Sequence, residues 1–136
     1  MKFALALGLG CDRGTPAATI NRAIDAALAA AGATLTDVRA VASIDLKADE
    51  VGLGEVAAAH GWRIRFYAAA QLAVVEVPNP SETVRKYTGT PSVSEAAALL
   101  VAQADQSHLI IDKYKLRGPD GRNATVSIAR IPDERT

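Results

Sequence analysis

The opening of the chain constrains its fold more than any other stretch. An apolar run from Phe3 to Leu9, punctuated by Gly8 and Gly10, is followed by Thr15 and Pro16 and then by a long helical pattern. An unbroken apolar run of one strand's length suits a strand buried on both faces. Thr15 is placed to cap a helix and Pro16 to occupy its first turn, where a missing N–H costs nothing. Ile20, Ala23, Ile24, Ala27, Leu28 and Ala31 then recur at three- and four-residue spacing up to Gly32, which gives one apolar stripe. Strand, tight turn and helix form the first unit.

The same alternation continues. Val38 to Ile44 reads as a second strand, Gly54 to His60 as a short helix and Arg63 to Tyr67 as a third strand. The stretch from Ala68 to Tyr87 is the least legible: an Ala-rich helical turn, the Pro78-Asn79-Pro80-Ser81 break, and a further short helix stopped at Gly89. Ser92 and Glu95 form a capping box ahead of Val93, Ala96, Ala97, Leu100, Val101 and Ala104, the expected buried face of a helix over Ser92 to Ala104. With the helix from Pro16 to Ala31 it should be one of the two longest. His108 to Asp112 and Ala124 to Ile131 read as strands joined by a polar hairpin loop with Gly118, Pro119 and Gly121. A charged tail from Pro132 should fray. The fold expected is a three-layer α/β domain over residues 1–136, with a mixed, mainly parallel sheet of about five strands and helices on both faces. Hydrophobic residues make up 49% of the chain but aromatic ones only 4%, so the core must be built from Ala, Val, Leu and Ile.

Fifteen basic and fifteen acidic residues cancel. That removes the broad positive field that non-specific nucleic-acid or anionic-membrane binding needs, so neither partner is expected. The apolar first residues are too short to span a bilayer. The single Cys11 has no disulfide partner, which fits a reducing compartment, and a cytoplasmic location is expected. No metal cluster is legible.

Four constellations carry chemistry. GLGCDRGT, Gly8 to Thr15, is a glycine-rich turn before a helix, where backbone N–H groups attract an anion; Gly10, Arg13, Gly14 and Thr15 are its candidate contacts. It lacks the third glycine of the dinucleotide fingerprint and the Gly-Lys-Ser/Thr of the phosphate loop, so a nucleotide is disfavoured. Its Cys11 has no readable base and is assigned to packing. The second, ASIDLKADEVGL, delivers Ser43, Asp45, Lys47, Asp49 and Glu50 to a loop after a strand, where α/β sheets bind ligands. Ser43 and Lys47 are binding candidates; Asp45 and Glu50 are the weak catalytic candidates, as general bases if desolvated. In TPSVSEAA, capping accounts for Ser92 and Glu95, with Ser92 also at a helix start that faces a ligand and Ser94 a second hydroxyl there. The fourth pairs Lys113 with Lys115 at strand spacing, with Arg117 and Arg122 nearby; adjacent like charges call for an anion or carboxylates.

Taken in order, GLGCDRGT, VASIDLKADEVGL, TPSVSEAAALL and a Lys-x-Lys strand followed by NATVSIAR resemble the cobalamin-biosynthesis family made up of the stand-alone CobE proteins and the carboxyl-terminal domain of CbiG. The resemblance spans nearly the whole chain, and its length is that of the CobE side. It implies a part in corrin-ring construction by the aerobic route and a ligand of the precorrin or hydrogenobyrinic acid type, with a neighbouring pathway enzyme as a further candidate partner and no cofactor. Such macrocycles carry carboxylates around a flat apolar ring. Arg13, Lys47, Lys113 and Lys115, with helix starts at Thr15 and Ser92, answer that chemistry. Asp12 departs from the family, whose members often have a basic residue after the cysteine. Two readings remain. A binder or carrier is preferred because no nucleophile–base pair is legible. A hydrolase, or a component of one, acting on a precorrin lactone is what the likeness to CbiG, the cobalt-precorrin-5A hydrolase, implies.

Overall fold

The computed structural model describes residues 3–77 and 93–132. Its sheet has five strands in the order β3-β2-β1-β5-β4: β1 (Leu5–Cys11), β2 (Val38–Ile44), β3 (Ile64–Tyr67), β4 (Leu109–Arg117) and β5 (Asn123–Arg130). β1, β2 and β3 are parallel, while β5 runs antiparallel to both β1 and β4. The sheet is therefore mixed, with β5 alone reversed. Helices α1 (Ala17–Ala31) and α2 (Val51–His60) cover one face; α3 (Ala69–Ala73) and α4 (Val93–Ala102) cover the other.

The two faces are built from different residues because strand side chains alternate. Leu5, Leu7 and Leu9 of β1 and Val126 and Ile128 of β5 point toward α1, where Ile20, Ala23, Ile24, Ala27 and Leu28 close the core. Ala6 and Ala129 point the other way, against Ala98, Leu99 and Ala102 of α4. Small residues let α4 approach the sheet closely. A Cβ on Gly8 would run into the backbone carbonyl of Ser94, so that contact admits only glycine.

Several boundaries differ from the sequence reading. β1 runs on to Cys11 rather than stopping at Leu9, because Gly10 and Cys11 pair with Thr125 and Ala124; the glycines mark close approach, not the strand's end. Pro16, not Thr15, is the α1 N-cap residue, and the Thr15 hydroxyl donates backward to the carbonyl of Asp12 (2.7 Å). α2 starts at Val51 rather than Gly54 and, at 10 residues, equals the described length of α4. α4 stops two residues early because Gln103 takes a left-handed backbone (φ 56°) and the N–H of Ala104 turns back to the carbonyl of Leu99. Its buried face also takes in Ala98, Leu99 and Ala102, since α4 is enclosed by sheet on one side and α3 on another. β4 runs five residues past Asp112, its polar alternation being that of a half-exposed edge strand. The Pro78–Ser81 break, the short helix before Gly89, Ser92 with its capping box, and the tail from residue 133 lie outside the described residues. Among the described residues no helix is long and apolar enough to cross a membrane.

Candidate functional site

Parallel β1, β2 and β3 end together, so the loops leaving β1 and β2 share one edge of the sheet. Arg13 joins them. Its guanidinium pairs with Asp49 (2.9 Å) and Glu50 (2.7 Å) and also donates to the carbonyl of Leu46 (3.3 Å). The other Glu50 oxygen accepts the backbone N–H of Gly14 (3.0 Å), a residue held at φ 76°. Glu50 is only 6% exposed. The turn that offers its N–H to an external anion thus holds a carboxylate from the neighbouring loop. The Arg13 guanidinium holds the Asp49 carboxyl below the usual carboxylate range, chiefly by direct hydrogen bonding, and Arg13's own pKa is raised in return.

The start of β5 closes the same cluster. Asp12 accepts from the backbone N–H (2.8 Å) and the side-chain amide (3.1 Å) of Asn123, and the Arg122 guanidinium donates to the carbonyl of Arg13 (2.9 Å). Asp12, an acidic residue where the resemblance leads one to expect a basic one, therefore joins the first loop to β5. Nothing in the spacing pointed to Asn123, which is remote in sequence.

Of the candidate binding residues, Ser43 is fully buried and donates to the carbonyl of Leu9 (2.6 Å), and Thr15 is buried beneath the first turn. Ser94 is buried and hydrogen-bonded to Ser127 (2.9 Å), whose hydroxyl also donates to the carbonyl of Asp112 (2.6 Å). These hydroxyls join elements. Gly10 and Lys47 are part-exposed, while Arg13, Gly14, Lys113 and Lys115 are exposed. Among the described residues, Lys47, Lys113 and Lys115 enter no ion pair. Asp45 is exposed on the second loop. Ser92 lies outside the described residues.

Cys11 ends β1 half-buried. Burial above all pushes its thiol up to about 11; Lys47 and Arg13 oppose that shift, while Glu50 and Asp12 reinforce it. At neutral pH the sulfur is a protonated, weak nucleophile. Among the described residues no three His, Cys, Asp or Glu side chains gather as a metal site.

Beyond the start of α4 the sheet surface changes character. Gly8 lies under Ser94, but one step further along the strand Gly10 lies beside Thr125, which pairs with Lys115 of β4. A bulge before Tyr114 sets Asp112 and Lys113 together opposite Ser127. Tyr114 and Leu116 turn toward α1, so Lys113, Lys115 and Arg117 face the α4 side. Leu46, 52% exposed, adds apolar surface on the second loop.

Residues 5–129 match the family described as cobalamin synthesis G C-terminus. The chain is 42% identical over 128 residues to cobalt-precorrin-5A hydrolase of Priestia megaterium, an alignment covering 94% of this chain but 32% of that protein. It thus spans about a third of that relative's length. It is 41% identical over 111 residues to protein CobE of Sinorhizobium sp., covering 80% of this chain and 71% of the other. The crystal structure of CobE, a protein from the cobalamin (vitamin B12) biosynthetic pathway, superposes with a TM-score of 0.79 at 33% identity, covering 99% of this chain and 95% of that one.

Proposed function

This chain belongs to the cobalamin synthesis G C-terminus family, and from that premise we propose that it binds and carries an anionic corrinoid or precorrin intermediate at the carboxyl edge of its sheet. The observation that carries this reading is the pairing of a glycine-floored strip, Gly10 beside Thr125, with Lys113 and Lys115, which enter no ion pair among the described residues, while Lys47 stands near Asp49 on the loop after β2. A flat ring needs a surface without protruding side chains, and its carboxylates need local cations on a chain of zero net charge. Leu46 gives the ring apolar contact.

A second reading, a hydrolase or part of one, is supported by the 42% identity to a stretch of the cobalt-precorrin-5A hydrolase. Glu50 and Asp49 are already engaged by Arg13, and the Cys11 thiol is protonated, which leaves Asp45 as the exposed carboxylate on that loop outside any described ion pair. Mixing the purified protein with hydrogenobyrinic acid and with earlier precorrin-type intermediates, while following ligand absorbance and ligand mass, separates the two. Changed absorbance at constant mass supports the carrier; changed mass supports the hydrolase.

A further inference from the structure

The geometry points to a receptor for one ligand carboxylate built from the Thr125 hydroxyl and the Lys115 ammonium, with Gly10 kept bare beside it. This contact rests on the carrier reading and names the atoms that give it selectivity. Ser127 and Ala129 of β5 direct their side chains to the α4 face, and alternation puts Thr125 on that face too. Lys115 lies directly opposite Thr125 on β4, and cross-strand partners share a face at close Cβ separation. The threonine hydroxyl is half-buried and makes no hydrogen bond among the described residues, and Lys115 makes no ion pair there. A carboxylate accepts from both an O–H and an N–H donor, and the charged acceptor strengthens each bond.

Gly10 leaves the β1 side of this spot without a side chain. A Cβ there would come within 2.5 Å of the Thr125 Oγ1, crowding the hydroxyl from the β1 side. A side chain at position 10 would therefore both displace the donor and lift a flat ring from the strand. Ser127, the comparable hydroxyl one step back along β5, is buried and bonded to Ser94 of α4. Thr125 is the part-exposed hydroxyl of this row, with no hydrogen-bond partner among the described residues.

The test is equilibrium titration of hydrogenobyrinic acid into wild type, Thr125→Val, Thr125→Ser, Lys115→Ala and the Thr125→Val/Lys115→Ala double variant, each checked for wild-type circular dichroism. Thr125→Val keeps the side-chain shape and should weaken binding roughly tenfold, with Thr125→Ser restoring most of it. Lys115→Ala should weaken binding and flatten its salt dependence, whereas Thr125→Val should leave the salt slope unchanged. The double variant should lose less than the product of the two single losses, because both residues hold the same group. Unchanged affinity in Thr125→Val, or strictly multiplicative losses, overturns the shared contact while the carrier reading stands. Failure of wild type to bind overturns that reading, and this contact with it.

Discussion

The Glu50 carboxylate meets the Arg13 guanidinium at 2.7 Å while its second oxygen takes the N–H of Gly14, so one buried side chain fastens the loop after β2 to the turn after β1. Arg13 is 63% exposed at its side chain and Glu50 only 4%, so solvent screens the cation more than the anion. Removing the carboxylate strands a backbone donor as well as a charge. Glu50→Ala should destabilise the fold by roughly 1–3 kcal/mol, and Glu50→Gln, which still accepts from Gly14, by less. Urea denaturation of both variants checks the order. Equal losses would mean that the Gly14 bond contributes nothing.

The Asp49 carboxyl titrates below its ordinary value because Arg13 bonds it. A depressed folded-state pKa contributes stability above the unfolded value, and that contribution disappears as pH falls through the folded value. Wild type should therefore lose stability on acidification more steeply than Asp49→Asn between about pH 5 and pH 3. Denaturation midpoints across that range provide the comparison.

Cys11 behaves in the opposite sense. Its folded thiol titrates at about 11 against an ordinary 9.0, so the fold favours the neutral form. That preference is complete below the ordinary value and is lost as pH rises through the folded one. Iodoacetamide should alkylate Cys11 far more slowly than a free thiol at pH 8, with the rate climbing only toward pH 11. Fast alkylation at neutral pH would contradict the assignment of Cys11 to packing. Cys11→Ser should leave ligand affinity nearly unchanged.

Close packing of α4 on β1 gives a stability test remote from any ligand. Gly8→Ala must push the Ser94 carbonyl aside, and backbone cannot rotate away as a side chain can. A loss of about 3 kcal/mol, the upper part of the overpacking range, is expected by chemical denaturation.

The layered fold was legible because its long elements carry strong periodicity. The α1 stripe from Ile20 to Leu28 is the one the spacing gives, and β2 has the predicted limits of Val38 and Ile44. Ends were less legible where pairing, not composition, decides them: Gly10 and Cys11 belong to β1 only because β5 lies beside them. The joining of the first two loops followed from parallel topology. The partners inside that junction did not, since Arg13 with Glu50 and Asp12 with Asn123 are contacts between residues distant in sequence, with no local pattern. Ser43 and Ser94 read equally well as ligand contacts or internal ties until burial is known.

The central claim is that the lysines of the edge strand hold an anionic corrinoid. Its most direct test is equilibrium titration of hydrogenobyrinic acid into wild type and the Lys113→Ala/Lys115→Ala variant, at low and high salt. The account predicts a wild-type affinity that falls with salt to a residual set by ring burial, and a loss of roughly 1–3 kcal/mol in the variant with a flatter salt dependence. A variant that binds as tightly as wild type at both salt concentrations would contradict it.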